Sequence, residues 1–129
     1  MDAILLVCRS PGARDALAAI LEKTDWRIGY ARSCGEAVML LCREQVSVVI
    51  CESRLPDGDW KDMLEYSLQA PGAPRLIVTC RWANESLWAE VLNLGGFDVL
   101  AQPFDNTEVT RVTSSATRAR QRALGGAAA

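Results

Sequence analysis

The run Val46-Ser47-Val48-Val49-Ile50-Cys51 is the most strand-like stretch of the chain. β-branched valines dominate it, and such side chains pack well on a pleated surface. Leu55-Pro56-Asp57-Gly58 follows and is a turn by its residue chemistry. Asp59 is placed to cap a helix reaching about Gln69, which Pro71-Gly72-Ala73-Pro74 ends. A strand, a tight turn and a helix in succession make one unit, and the same unit can be traced outward in both directions.

Toward the N-terminus, Ile4-Leu5-Leu6-Val7 reads as a buried strand. Ser10 caps the next helix, with Pro11 at its first position and Leu17, Ile20 and Leu21 on its apolar face. Trp26 to Ala31 is a second, weaker strand. Ser33 and Glu36 form the pattern of a capping box for a second helix, whose apolar face carries Ala37, Val38 and Leu41. Toward the C-terminus, Leu76-Ile77-Val78 is the fourth strand. A helix capped near Asn84 follows, with Leu87, Val91 and Leu94 inward and Gly95-Gly96 at its end. Val99-Leu100-Ala101 is the fifth strand. Asp105 and Glu108 frame a last helix with Val109, Val112, Ala116 and Ala119 inward, and Arg118, Arg120 and Arg122 suit the dipole at its C-terminus.

Strict alternation with short connections implies an α/β protein with a parallel sheet covered on both faces. Five such units fit a flavodoxin-like, doubly wound, five-stranded parallel sheet of order 2-1-3-4-5 with five helices. Its functional crevice lies at the carboxyl ends of the strands, between strands 1 and 3. One domain is expected over residues 1–124, with a flexible tail over residues 125–129.

The 129 residues are enough for one proper core. A formal charge of −2 provides no electrostatic case for direct nucleic-acid or anionic-membrane binding. No apolar run approaches the roughly 18 residues that span a bilayer, and Ile4-Leu5-Leu6-Val7 is too short for a signal-peptide core. The five cysteines are odd in number and form no CxxC pair, which argues against a disulfide framework and for a cytoplasmic setting. Histidine is absent, so the usual general base and the commonest zinc ligand are missing.

Two stretches carry a family resemblance. Val48 to Trp60, Val-Val-Ile-Cys-Glu-Ser-Arg-Leu-Pro-Asp-Gly-Asp-Trp, resembles the third strand and following loop of a bacterial two-component response-regulator receiver domain of the CheY-like kind. Gly96 to Asp105, Gly-Phe-Asp-Val-Leu-Ala-Gln-Pro-Phe-Asp, is similar to that family's fifth strand and its Lys-Pro-Phe signature. The resemblance covers about residues 3 to 123. It implies a part in phosphorelay signal transduction and no enzymatic activity.

Active members of that family hold Mg²⁺ through an acidic pair after strand 1 and the phospho-accepting Asp of strand 3. A Lys after strand 5 and a Ser or Thr after strand 4 contact the phosphoryl oxygens. A transferred phosphoryl group is strongly negative and needs such neutralisation. By the same resemblance, the acidic pair is replaced here by Cys8 and Arg9, the acceptor by Glu52 and the lysine by Gln102, while Thr79 is kept. The aromatic switch position is Val99. A thiol is a poor Mg²⁺ ligand and a guanidinium is none. An atypical receiver, or pseudo-receiver, without metal or other cofactor is therefore expected, acting as a phosphorylation-independent interaction module.

In such a site Arg9 is expected to replace the metal electrostatically by pairing with Glu52. Gln102 is expected to bond Glu52 or Thr79. Phosphorylation by an unusual route, at Asp57 or Asp59, is the first alternative, although turn and cap roles account for both residues. A small-molecule-binding flavodoxin-like protein is the second, and Cys8-Arg9-Ser10-Pro11-Gly12 lacks the glycine-rich phosphate loop it needs. Cys8, Cys51 and Cys80 fall near strand ends, but alternation turns Cys51 away from Glu52. Trp82 and Trp88, with Arg111 and Arg118, are candidates for a partner surface. The resemblance places that surface on helix 4, strand 5 and helix 5, for a homodimer or for a regulator, kinase or effector domain.

Overall fold

A computed structural model describes residues 2–82 and 84–128. The apolar runs form β1 (Ala3–Val7), β2 (Arg27–Ala31), β3 (Val48–Glu52), β6 (Arg75–Cys80) and β7 (Asp98–Ala101). Between β3 and the next helix, β4 (Arg54–Leu55) and β5 (Gly58–Asp59) make a two-residue hairpin around Pro56-Asp57. The helices are α1 (Pro11–Leu21), α2 (Cys34–Arg43), α3 (Trp60–Gln69), α4 (Glu85–Leu94) and α5 (Asn106–Ala128). The main sheet has the order β2-β1-β3-β6-β7 and is parallel throughout. Leaving the hairpin aside, this is the expected 2-1-3-4-5 order.

Side-chain alternation sends neighbouring strand residues to opposite faces. Leu5, Val7, Val49, Cys51, Leu76 and Val78 pack on α2, α3 and α4 through Leu41, Met63 and Val91. Ile4, Leu6, Val48, Ile50, Ile77 and Leu100 pack on α1 and α5 through Leu17, Leu21, Val109, Val112 and Ala116. Among the described residues no helix is long and apolar enough to cross a membrane.

Local capping follows the sequence closely. Ser10 Oγ accepts from the Ala13 N–H at 3.3 Å, and Pro11 opens α1. Asp59 and Asp62 form a reciprocal capping box on α3. Asn84 caps α4, and Gly95 ends it at φ 110°, a left-handed conformation that suits glycine. The expected box at Ser33 is only half formed. Ser33 Oγ accepts from the Glu36 N–H at 3.2 Å, but the Glu36 carboxylate turns back to the Arg32 N–H at 3.3 Å.

Two further features depart from the sequence pattern. Leu94 is half exposed rather than inward, and Val91 is the one fully buried side chain of α4 among the described residues. α4 packs beside β7, the last strand of the sheet, so part of its apolar face has no sheet beneath it. Arg120 is not a solvated dipole partner but is 8% exposed. Its Nε donates to the Gly72 carbonyl at 2.9 Å and its Nη1 to Ser47 Oγ at 3.4 Å. α5 is helical through Ala128, and residue 129 lies outside the described residues.

Candidate functional site

The carboxyl ends of β1, β3, β6 and β7 lead into one open crevice of about 700 Å³. Its wall includes Arg9, Ser10, Glu52, Arg54, Arg81 and Gln102. Arg9 follows β1, Glu52 is the last residue of β3, Arg81 follows β6 and Gln102 follows β7. The parallel sheet therefore gathers residues far apart in sequence at one end.

Glu52 is half-buried, and its Oε1 accepts the Ser10 N–H at 2.8 Å. This bond ties the end of β3 to the start of α1. The expected Arg9–Glu52 pair is not formed. Among the described residues the ion pairs are Arg14 with Asp15 and Lys61 with Glu90. The reason is entropic: the Ser10 amide is already fixed by the cap, whereas Arg9 is an exposed, rotamer-rich side chain. Gln102 makes neither expected bond. Its backbone N–H donates to the Cys80 carbonyl at 2.8 Å, and among the described residues no hydrogen bond joins its carboxamide to Glu52 or Thr79. Thr79 pairs in register with Glu52, yet its hydroxyl is buried without a partner among the described residues.

The thiols do not form a reactive cluster. Burial, followed by the nearby Glu52 carboxylate, pushes the Cys8 thiol up to about 12. Burial also holds the Cys51 thiol well above its ordinary value. Cys8 and Cys51 belong to core layers on opposite faces of the sheet. Both are neutral at physiological pH and are poor nucleophiles and ligands. Cys80 donates through Sγ to the Trp82 carbonyl at 2.9 Å. Among the described residues no group of three or more His, Cys, Asp or Glu side chains is placed to hold a metal ion.

A family model for the response regulator receiver domain matches residues 4–114. The chain belongs to the response-regulator receiver family. It is 30% identical over 117 residues to the response regulator protein PilR of Pseudomonas aeruginosa, covering 90% of this chain and 26% of that protein. It is also 30% identical over 107 residues to the probable transcriptional regulatory protein TcrX of Mycobacterium tuberculosis, covering 82% of this chain and 45% of that protein. The chain thus spans about a quarter and a little under half of these two relatives. Among solved structures, the signal receiver domain of an HD domain-containing protein from Pseudomonas fluorescens superposes with a TM-score of 0.87 at 23% identity, over 96% of this chain and 92% of that one. The beryllofluoride-activated NtrC4 receiver domain dimer superposes with a TM-score of 0.84 at 19% identity, over 93% and 99%. These structures share the fold. The domain is a response-regulator receiver in signalling.

A second region of this receiver stands out on α4 and the bend before it. Trp82 is 79% exposed, and Trp88 and Leu94 are each 50% exposed. Leu92, one turn after Trp88, adds to the flank of α4 that Trp88 occupies. Trp88 Nε1 donates to Asp98 Oδ1 at 3.3 Å, which fixes its ring across to β7. Trp88, Val99, Ala101 and Cys80 line a small pocket of about 220 Å³. Val99 and Trp88 are thereby brought together. Arg111 and Arg118 are exposed on α5, and Arg118 bonds Ser115 Oγ at 3.4 Å.

Two groups of residues in the receiver were not anticipated from sequence. Arg54 and Arg81 join Arg9 in the crevice. Their signal was available, because Arg9 and Arg81 stand just past strand ends and Arg54 lies two residues beyond Glu52. Asp57 is more than a turn residue. Its carboxylate accepts from Cys34 N–H at 2.8 Å and Gly35 N–H at 3.0 Å, capping the first turn of α2 from a loop 22 residues away. These backbone bonds hold its carboxyl below its ordinary value.

Proposed function

We propose that this receiver signals by protein contact and without accepting phosphate. The observation that carries this reading is the composition of the crevice. Its one carboxylate, Glu52, is already bonded to the Ser10 amide, and three guanidiniums share its wall. Mg²⁺ takes carboxylate oxygens in near-octahedral geometry, and this donor set does not fit it. Cys8, Arg9, Glu52 and Gln102 stand where phosphoryl chemistry needs acid, acid, acceptor and lysine. The capping roles of Asp57 and Asp59 support setting aside a substitute acceptor.

The contact face is α4 with β7 and α5, where Trp82, Trp88, Leu92 and Leu94 expose apolar surface. Its occupant is a second copy of the domain or a regulator, kinase or effector domain, and its setting is the cytoplasm, in keeping with free cysteines. The domain needs no direct nucleic-acid contact and no cofactor. Incubation with a small phosphodonor and Mg²⁺, followed by intact mass, tests the first part. No adduct is expected, and a stoichiometric phosphate adduct would overturn the reading. Sedimentation across a concentration series tests the surface. Self-association of the domain should weaken in Trp88→Ala, and an unchanged profile would leave the face to a different partner.

A further inference from the structure

We propose that the crevice is a receptor site for a small ligand carrying a phosphate or diphosphate group, bound non-covalently and without a metal ion. Arg9, Arg54 and Arg81 line one cavity of about 700 Å³. Arg9 follows β1, Arg54 opens β4 two residues past β3, and Arg81 follows β6, so chain topology rather than sequence adjacency assembles them. All three are exposed, and none is among the ion pairs found in the described residues. Arg14 shows the alternative, since it pairs with its own neighbour Asp15 at 3.2 Å.

Three like charges on one wall repel each other, and an anion relieves that repulsion. Glu52 is the one carboxylate in the lining, and its Oε1 is engaged by Ser10. The planar guanidinium fork matches phosphate oxygens in a bidentate manner, which a single carboxylate does not exhaust. α1 also begins at this wall, with Ser10, Gly12 and Ala13 in the lining, so its dipole adds to the positive field. The volume exceeds what a lone inorganic anion fills and suits a molecule of nucleotide size. A diphosphate offers several acceptor oxygens to guanidiniums arriving from separate strand ends.

The inference rests on the reading that the crevice takes no covalent phosphate, and the two fail separately. A phosphodonor adduct would overturn that reading, whereas absent binding in the titration below would overturn only this inference. The whole chain is titrated calorimetrically with pyrophosphate, with ADP and with adenosine, in low salt and with a chelator present. Saturable one-to-one binding of pyrophosphate and ADP is expected, with none of adenosine. Arg9→Gln and Arg81→Gln should each weaken binding about tenfold. Glu52→Gln, which removes the opposing charge, should tighten it severalfold. Arg43→Gln, at the exposed C-terminal end of α2, should leave it unchanged, and circular dichroism should confirm that every variant is folded. No saturable binding up to about 1 mM pyrophosphate or ADP, or an equal loss in Arg43→Gln, overturns the proposal.

Discussion

Arginines occupy both ends of the sheet, and they do opposite things there. At the amino ends Arg120 is buried, donates to Gly72 and Ser47, and meets a chain of polar partners. Ser47 Oγ in turn donates to Asp2 Oδ1 at 2.7 Å, and Gln121 Nε2 donates to Asp2 Oδ2 at 3.3 Å. At the carboxyl ends Arg9, Arg54 and Arg81 are exposed around a cavity and hold no ion pair among the described residues. The first arrangement satisfies its charge within the fold. The second leaves charge available to something else. The contrast teaches that composition alone does not reveal an arginine's role; what matters is whether its donors are already used.

That contrast breaks most readily at Gly72. Its φ is +80°, and a Cβ there would come within 2.5 Å of the Arg120 guanidinium. Gly72→Val imposes left-handed strain on a β-branched residue and displaces the Arg120 bond. A loss of about 3 kcal/mol is expected in denaturant unfolding. Arg120→Ala should cost about 2 kcal/mol, or roughly 6–10 °C in Tm, because it strips bonds that join α5 to the ends of β3 and β6. An Arg120→Ala domain as stable as the parent would mean that the buried guanidinium merely balances its own desolvation.

Much of the fold was legible because its signals are local. The valine-rich run of β3, Pro11 after Ser10, Asp59 before Trp60 and Gly95 after Leu94 each act through neighbours in sequence. The misread features are long-range. Arg120 lies 48 residues from Gly72, and its spacing on α5 is compatible with a solvated face until the loop before β6 folds over it. Leu94 fits an inward helical period, but the period cannot say that the sheet stops at β7. In the crevice the residue positions were legible from the strand ends. Their contacts were not, because a capped amide at Ser10 competes for Glu52 and wins over Arg9.

Asp57 sharpens the comparison from a third position, since it is a charge that is both exposed and used. The Gly35 and Cys34 amides lower its carboxyl from an ordinary value of 3.8. A lowered folded value means that the unfolded chain binds the proton more readily. The contribution is therefore complete above about pH 5 and is lost as pH falls through the folded value. Asp57→Asn should lower Tm less than Arg120→Ala does at neutral pH. Between about pH 5 and about pH 3 the parent should lose more stability than this variant. Parallel acid profiles for the two would show that the α2 cap draws nothing from the charge.

The smallest effect is expected where the most charge is removed. In the Arg9→Gln, Arg81→Gln double variant, no ion pair found among the described residues is broken, and the three pairwise repulsions among the crevice guanidiniums are relieved. Its unfolding free energy should lie within about 0.5 kcal/mol of the parent in low salt, with any change upward. Added salt should shrink that gain, since it screens the repulsion in the parent and has less to screen in the variant. A double variant destabilised as far as Arg120→Ala would mean that the crevice arginines are structural after all. They would then belong with the buried arginine at the other end of the sheet, and the charge at the strand ends would not be free for a ligand.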